Sequence, residues 1–466
     1  MTDLATLSAG DLVARYRSGD ASPVDATEAA LARAHAAQET HNPFVFIDDD
    51  AAMTAARASE ARWKKGTPAG PVDGVPTTLK DLFLTKGHPT LKGSKTIDPN
   101  QSWDDDAPVT ARLKESGAVI LGKTTTPEMG WKGVTDSPLT GITCNPWDVT
   151  KTPGGSSGGA AAAAGLYAGA LHVGSDGGGS VRIPAAFSGI FGHKTTFARV
   201  AAWPLSPFGT LSNVGPMTRT VTDSAILLNI IGRPDWRDWY SDPRDSEDYL
   251  SGLEDGVAGL KIAYSPTLCG HHVEPGVASA VKKAVDQLAD LGAIVEEAEP
   301  DIGKDTPAAT FMTHWWTVGT YVVQSLTDEQ QALMDPGLVD VAKRGARFTS
   351  TELINGQMAR RTMGTAINGF FEEYDLLLTP SVPLTAFETG TYVPPQRTPD
   401  ERAWVNWTPF SYPFNLSRHP ACSIPCGFSD GLPVGLQIVG RHYEDNLVLR
   451  AARAYEKANP IQLPAA

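Results

Sequence analysis

Ala, Leu and Val recur at helical spacing over residues 11–17, 23–38 and 51–64. Ser22-Pro23 marks the start of the second stretch, a capping hydroxyl followed by a residue that needs no N–H in a first turn. The opening 65 residues therefore read as a helical segment. From about Pro71 the texture changes, and short apolar runs alternate with amphipathic stretches. Ala118-Val119-Ile120-Leu121, residues 260–264, Ile294-Val295 and residues 376–379 are strand candidates. Residues 277–291 and 445–457 are helix candidates between and after such runs. This alternation predicts an α/β fold around a mixed sheet. Residues 379–413 hold many prolines together with Tyr392, Trp404, Trp407, Phe410 and Tyr412. That stretch is too apolar for a free linker and reads as an ordered cap or long loop. With no internal repeat and no convincing linker, residues 1–466 are expected to form one domain.

Composition narrows the class. Apolar residues make up 41% and charged residues 20%, which excludes disorder, collagen and coiled coil. The 45 glycines and 35 prolines among 466 residues exceed the usual ~12% share and point to many tight turns and close backbone approaches. Thirty-nine basic against 53 acidic residues leave a net charge of −14, which disfavours direct contact with a phosphate backbone. No apolar run reaches the ~20 residues of a membrane-spanning helix, so no membrane association is expected. The first ten residues lack the basic start and apolar run of a secretory signal. Cys144, Cys269, Cys422 and Cys426 are too few and too irregular for a disulfide framework or a zinc knuckle. A cytoplasmic setting without metal or cofactor follows as the expectation.

Two motifs invite chemistry that their context does not support. Residues 117–124 match the phosphate-loop pattern, from Gly117 to Gly122-Lys123-Thr124. A phosphate loop needs exposed backbone amides between its glycines, yet the intervening residues form a buried-strand sequence, so a strand leaving a helix is the better reading. Gly154-Gly155-Ser156-Ser157-Gly158 fits the nucleophile elbow of an α/β-hydrolase. That elbow must follow a buried strand, whereas residues 145–153 contain two prolines and two charges. No histidine sits in a persuasive triad context.

A third constellation spans three segments. Gly154-Gly155-Ser156-Ser157-Gly158-Gly159 opens an Ala-rich stretch. Downstream stands Gly174-Ser175-Asp176-Gly177-Gly178-Gly179-Ser180-Val181-Arg182, and upstream Gly74-Val75-Pro76-Thr77-Thr78-Leu79-Lys80-Asp81. Glycines expose backbone N–H groups able to converge on an oxyanion. A lysine between Leu79 and Leu82 can be desolvated, which lowers its pKa and makes it a base. Taken singly, each stretch is equally well explained by packing glycines and helix-capping serines.

In order and spacing these segments resemble the amidase signature family. Residues 215–223 and 432–440 fit as well, so the likeness runs from about residue 5 to 457, with its core over 70–235. The resemblance implies one large α/β domain, its mixed central sheet covered by helices on both faces. It implies Ser180 as nucleophile, Ser156 as the cis-serine relay and Lys80 as general base. For that role the lysine pKa must fall from about 10.4 towards about 7–8. The amides of Gly177, Gly178, Gly179 and Ser180 would form the oxyanion hole. Ser157 would support the serine pair, and Asp176 with Arg182 would hold the loop. Two departures stand out: Gly177, where the family usually has Thr or a larger residue, and His193-Lys194-Thr195-Thr196 in place of Leu-Lys-Pro-Thr. His193 reads as structural.

Family membership implies hydrolysis of an amide C–N bond, and by extension of esters and carbamates. Residues 122–130 resemble the free-standing arylamidases, nylon-oligomer hydrolases and urethanases. Met129, Gly130, Trp131, Trp203, Phe208, Trp407 and Phe410 are candidates for an apolar pocket, although core packing would account for many of them. Small, uncharged, aryl- or alkyl-bearing substrates and a monomer or homodimer are therefore expected. The rivals are the glutaminase-type subunit of a transfer-RNA-dependent amidotransferase, a nucleotide-binding protein using residues 117–124, and a non-catalytic relative. The full Lys-Ser-Ser set argues against the last.

Overall fold

The computed structural model describes residues 3–243, 248–397, 400 and 402–465. Thirteen strands are present among them: β1 Phe44–Ile47, β2 Pro76–Lys80, β3 Val119–Thr124, β4 Asp136–Ser137, β5 Gly141–Ile142, β6 Leu171–Asp176, β7 Phe191–Lys194, β8 Asn213–Thr218, β9 Lys261–Tyr264, β10 Ile294–Glu297, β11 Leu376–Pro380, β12 Ala421–Ser429 and β13 Leu432–Gly440. Eleven of them join one sheet in the order β1-β3-β2-β6-β8-β7-β12-β13-β11-β9-β10, and β4 pairs with β5 apart from it. The sheet is mixed. The β3-β2-β6 and β11-β9-β10 groups run parallel, and antiparallel pairs link and flank them.

The alternation of side chains along a strand sorts the apolar residues into two cores. Leu376 and Leu378 of β11 join one cluster with the helices Val221–Ile231, Pro275–Asp290 and Asp445–Ala458. Leu377, between them, joins the other, with the helices Thr306–Gln324, Pro336–Gly345 and Ser350–Phe370. Helices therefore cover both faces. Pro23–His41 begins with a capping box in which Ser22 and Asp25 satisfy each other's backbone N–H groups. Ser8 caps Ala9–Ser18 in a related way through the Asp11 amide. Strand β1 is an addition to the all-helical reading of the first 65 residues. At four residues it is too short to declare itself by alternation, and pairing with β3 makes it a strand.

The segment from 379 to 413 packs against the body of the protein; residues 398, 399 and 401 of it lie outside the described residues. Val382, Leu384, Phe387, Trp404, Trp407, Phe410 and Tyr412 are buried within the second core. The phosphate-loop look-alike is a helix-to-strand connection. Gly117 turns with φ +76° after the helix Pro108–Glu115, and a Cβ on Gly122 would stand 2.2 Å from Phe46 O. Lys123 is buried and donates to Phe83 O at 2.8 Å and Thr90 Oγ1 at 2.9 Å, with Asp81 Oδ1 3.2 Å away. Residues 119–124 there form strand β3, paired with β1 and β2, whereas a phosphate cradle would need free loop amides.

Candidate active site

The parallel pair β2 and β6 sets the geometry. Their ladder ends at Leu79↔Val173, so Lys80 and the Ser175-Asp176 end of β6 emerge together at the carboxyl edge of the sheet. In open α/β sheets that edge is where ligands bind. The helix Gly158–Gly165 is buried throughout and packs beside both strands, with Ser156 and Ser157 at its start. Only a residue without a side chain allows this approach: a Cβ on Gly155 would lie 2.5 Å from the carbonyl carbon of Val134. The Gly155–Ser156 peptide is cis.

Lys80 is completely buried and meets three hydroxyls, Ser156 Oγ at 2.7 Å, Ser157 Oγ at 3.0 Å and Ser175 Oγ at 3.0 Å. Ser157 directs its own proton to Ser175 O at 3.1 Å and accepts from the Ser175 amide. Its proton is thereby committed, while that of Ser156 remains free to face the lysine nitrogen. Burial pushes the Lys80 ammonium well below its ordinary range, and the Asp176 charge opposes this only in part. A neutral amine has two protons to donate and one lone pair to accept with, and three hydroxyls satisfy all of these.

Ser180 ends the glycine loop and faces the same cavity as Ser156 and Ser175. Its carbonyl accepts from the Ser157 amide at 3.2 Å, tying the two serine segments together. The side-chain hydroxyls of Ser156 and Ser180 are not hydrogen-bonded to each other among the described residues.

Arg182 and Asp176, both fully buried, pair through two bonds, Nε to Oδ2 at 2.9 Å and Nη2 to Oδ1 at 3.0 Å. Burial alone would raise the Asp176 carboxyl, but the Arg182 charge and hydrogen bonds hold it well below the usual carboxylate range. Asp176 also accepts from the Gly179 amide at 2.7 Å and the Val181 amide at 3.2 Å. This corrects one expectation: the Gly179 amide is engaged by Asp176, which leaves Gly177, Gly178 and Ser180 as candidate oxyanion donors. His193 is buried against Asp445, Nε2 to Oδ1 at 2.9 Å, and does not line the cavity that Ser156 and Ser180 share.

A cavity of about 230 Å³ opens over Ser156 and Ser180, lined by Met129, Gly130, Trp203, Phe208 and Gly177. Trp131, Trp407 and Phe410 do not line it. Trp131 is buried and donates to Asp335 Oδ2, Trp407 stacks on Phe187 at 5.8 Å, and Phe410 lies fully enclosed in the second core. Aromatic density in the sequence marked this core rather than the pocket. Sequence reasoning missed Leu82, Val109, Val214 and Trp315 in the lining, and Ser175 as the third hydroxyl on Lys80. Ser175 stood in the quoted motif without a role, and Trp315 carried no local signal. A larger cleft of about 570 Å³, against Pro275–Asp290 and β12, contains none of the candidate groups. No cluster of three metal-ligating side chains occurs among the described residues, and no helix of the described residues is long and apolar enough to cross a membrane.

A protein family described as Amidase matches residues 25–449, most of the chain. The chain belongs to the amidase signature family. It is 35% identical to an acylamidase of Rhodococcus erythropolis, over 98% of this chain and 96% of that one. A glutamyl-tRNA(Gln) amidotransferase subunit of Chloroflexus aurantiacus is also 35% identical, over 98% of this chain and 97% of the relative. Among solved structures, a bacterial aryl acylamidase superposes with a TM-score of 0.91 at 29% identity, covering 97% of this chain and 96% of its own. The glutamyl-tRNA(Gln) amidotransferase subunit from Thermotoga maritima superposes with 0.84 at 30% identity, covering 99% and 96%. This amidase is thus an enzyme that hydrolyses amide C–N bonds.

Proposed function

We propose that this amidase is a free-standing serine hydrolase, monomer or homodimer, acting on small uncharged amides that carry an aryl or long alkyl group. Lys80 in its neutral form takes the proton of Ser156, which takes that of Ser180. Ser180 Oγ attacks the carbonyl carbon, and the oxyanion is met by the amides of Gly177, Gly178 and Ser180. Collapse breaks the C–N bond as the proton returns through Ser156 to the departing amine, and water then cleaves the acyl-enzyme by the same relay. Ser156 and Ser180 line one cavity, and the hydroxyl-to-hydroxyl bond forms once substrate is bound, the stage at which catalytic hydrogen bonds often tighten. Esters fit the same sequence, and so do carbamates if water can attack the less electrophilic carbamoyl-enzyme.

The observation that carries the substrate reading is the cavity lining. Its walls include Leu82, Val109, Val214, Trp203, Phe208 and Trp315, and among the described residues no aspartate or glutamate lines it. Lys92 lines the cavity and could receive the α-carboxylate of glutamine, but its α-ammonium would enter this space with no carboxylate to receive it, a costly burial. An aromatic ring burying ~100 Å² would instead gain ~2.5 kcal/mol, a factor of several tens. The glutaminase-type reading draws support from the amidotransferase relatives. Measuring kcat/KM for a matched aryl amide, aryl carbamate and glutamine decides between them: the aryl amide should lead, and glutamine in first place would overturn the proposal.

A further inference from the structure

The cavity wall beside the glycine loop comes from a helix far downstream in the sequence, Thr306–Gln324. Trp315 on that helix directs the edge of its six-membered ring at Gly177. A Cβ on Gly177 would stand 2.9 Å from Trp315 Cζ3 and 3.1 Å from Cη2. The indole is held on several sides. Its Nε1 donates to Trp131 O at 3.0 Å. Phe208 stacks on it with centroids 3.8 Å apart and planes 19° apart, and Phe311 lies at 5.0 Å and 22°. Gly178 is closed in the same manner, since its Cβ would come 2.6 Å from Phe311 Cζ. Trp315 itself is 3% exposed, and it and Phe208 both line the cavity.

We infer that Trp315 is a specificity-determining residue, its indole occupying the place of a side chain at position 177 and presenting, with Phe208, a rigid aromatic wall that selects flat aryl groups. This rests on the reading of Ser180 as nucleophile. Rings clamped by a hydrogen bond and by stacking lose little freedom when a substrate ring packs against them, which favours planar groups over flexible chains of equal area. Positions 177 and 315 are therefore coupled. A side chain at 177 displaces either the indole or the loop whose amides face the reacting carbonyl. With the indole gone, the same side chain has room.

The test compares two amides with one leaving group, an aryl and a short alkyl acyl chain, across a double-mutant cycle. Trp315→Ala should lower kcat/KM for the aryl amide at least tenfold and for the alkyl amide less than threefold. Gly177→Thr should cost at least 100-fold on both in the parent, and at least tenfold less in the Trp315→Ala background. Should Trp315→Ala not fold, Trp315→Phe with Gly177→Ala reads the same coupling, because the smaller ring draws back from position 177. Equal losses on the two amides, or additive effects at 177 and 315, overturn the inference. Labelling by a small fluorophosphonate separates the two readings. Normal labelling at Ser180 with no coupling rejects the role of Trp315 alone, whereas labelling elsewhere rejects the nucleophile assignment beneath it.

Discussion

Replacing Arg182 by methionine keeps most of the buried volume and removes a charge that five hydrogen bonds depend on. Arg182 donates twice to Asp176, to Asn415 Oδ1 at 2.6 Å, and to Ser411 O and Gln437 Oε1 at 2.8 Å each. The variant leaves the Asp176 carboxylate in the interior with the Gly179 and Val181 amides and Asn415 Nδ2 as its remaining partners. Breaking a buried pair from one side costs about 3–5 kcal/mol. Unfolding entropy of roughly 2.1 cal/mol/K per residue comes to about 1 kcal/mol/K for 466 residues, so Tm should fall by about 3–5 °C. The sign with pH follows from the carboxyl. In the parent its pKa lies below the unfolded value, so its stabilisation is complete above about pH 4 and fades as pH falls. Without Arg182 the folded pKa moves up, with Lys194, Asn415 and the Gly179 and Val181 amides left to oppose burial, so the variant gains less stability than the parent as pH climbs from acid towards neutral. The gap between the two proteins should be widest near pH 7 and narrow towards pH 4, as read by thermal melts. Asp176→Asn combined with Arg182→Met should recover part of the loss. A gap independent of pH, together with a double variant that melts at the sum of the single losses, would refute the reasoning.

Four further outcomes are expected. Ser180→Ala should keep the parent Tm within a degree or two and show no fluorophosphonate adduct by mass spectrometry, whereas adduct formation at Ser156 in the parent would overturn the assigned roles. In the proposed mechanism Lys80 is a neutral base with a depressed pKa, so kcat/KM should rise with pH through that depressed value and level off below the ordinary lysine range; a rise only near pH 10.5 would count against it. Trp407→Ala should cost about 3–5 kcal/mol in urea unfolding while leaving the aryl-to-alkyl preference within twofold, because the ring fills the core. Trp203→Ala should do the reverse, and a lost preference in the Trp407 variant would return that residue to the pocket.

Local structure was legible in the chain wherever its cause is local. Ser22 caps the helix that follows it through a bond to an amide three residues away, and the run at 376–379 is apolar because both faces of β11 are covered. The same holds for chemistry. A lysine between leucines, two Gly-flanked serines and an Asp-Arg pair six residues apart carry their potential in residue type and spacing. What the spacing could not decide is which atoms meet. Gly179 and its neighbours look alike as donors until Asp176 folds back onto one of them. Trp131, Trp203, Trp315 and Trp407 are equally aromatic, and only tertiary packing puts Trp203 and Trp315 on the cavity wall, Trp315 as part of the second core, and leaves Trp131 and Trp407 in that core away from the cavity. Burial and hydrogen-bond partnership are properties of surfaces brought together over long sequence separations, so backbone preference and motif were written in the sequence, while the walls of the pocket belong to the tertiary structure.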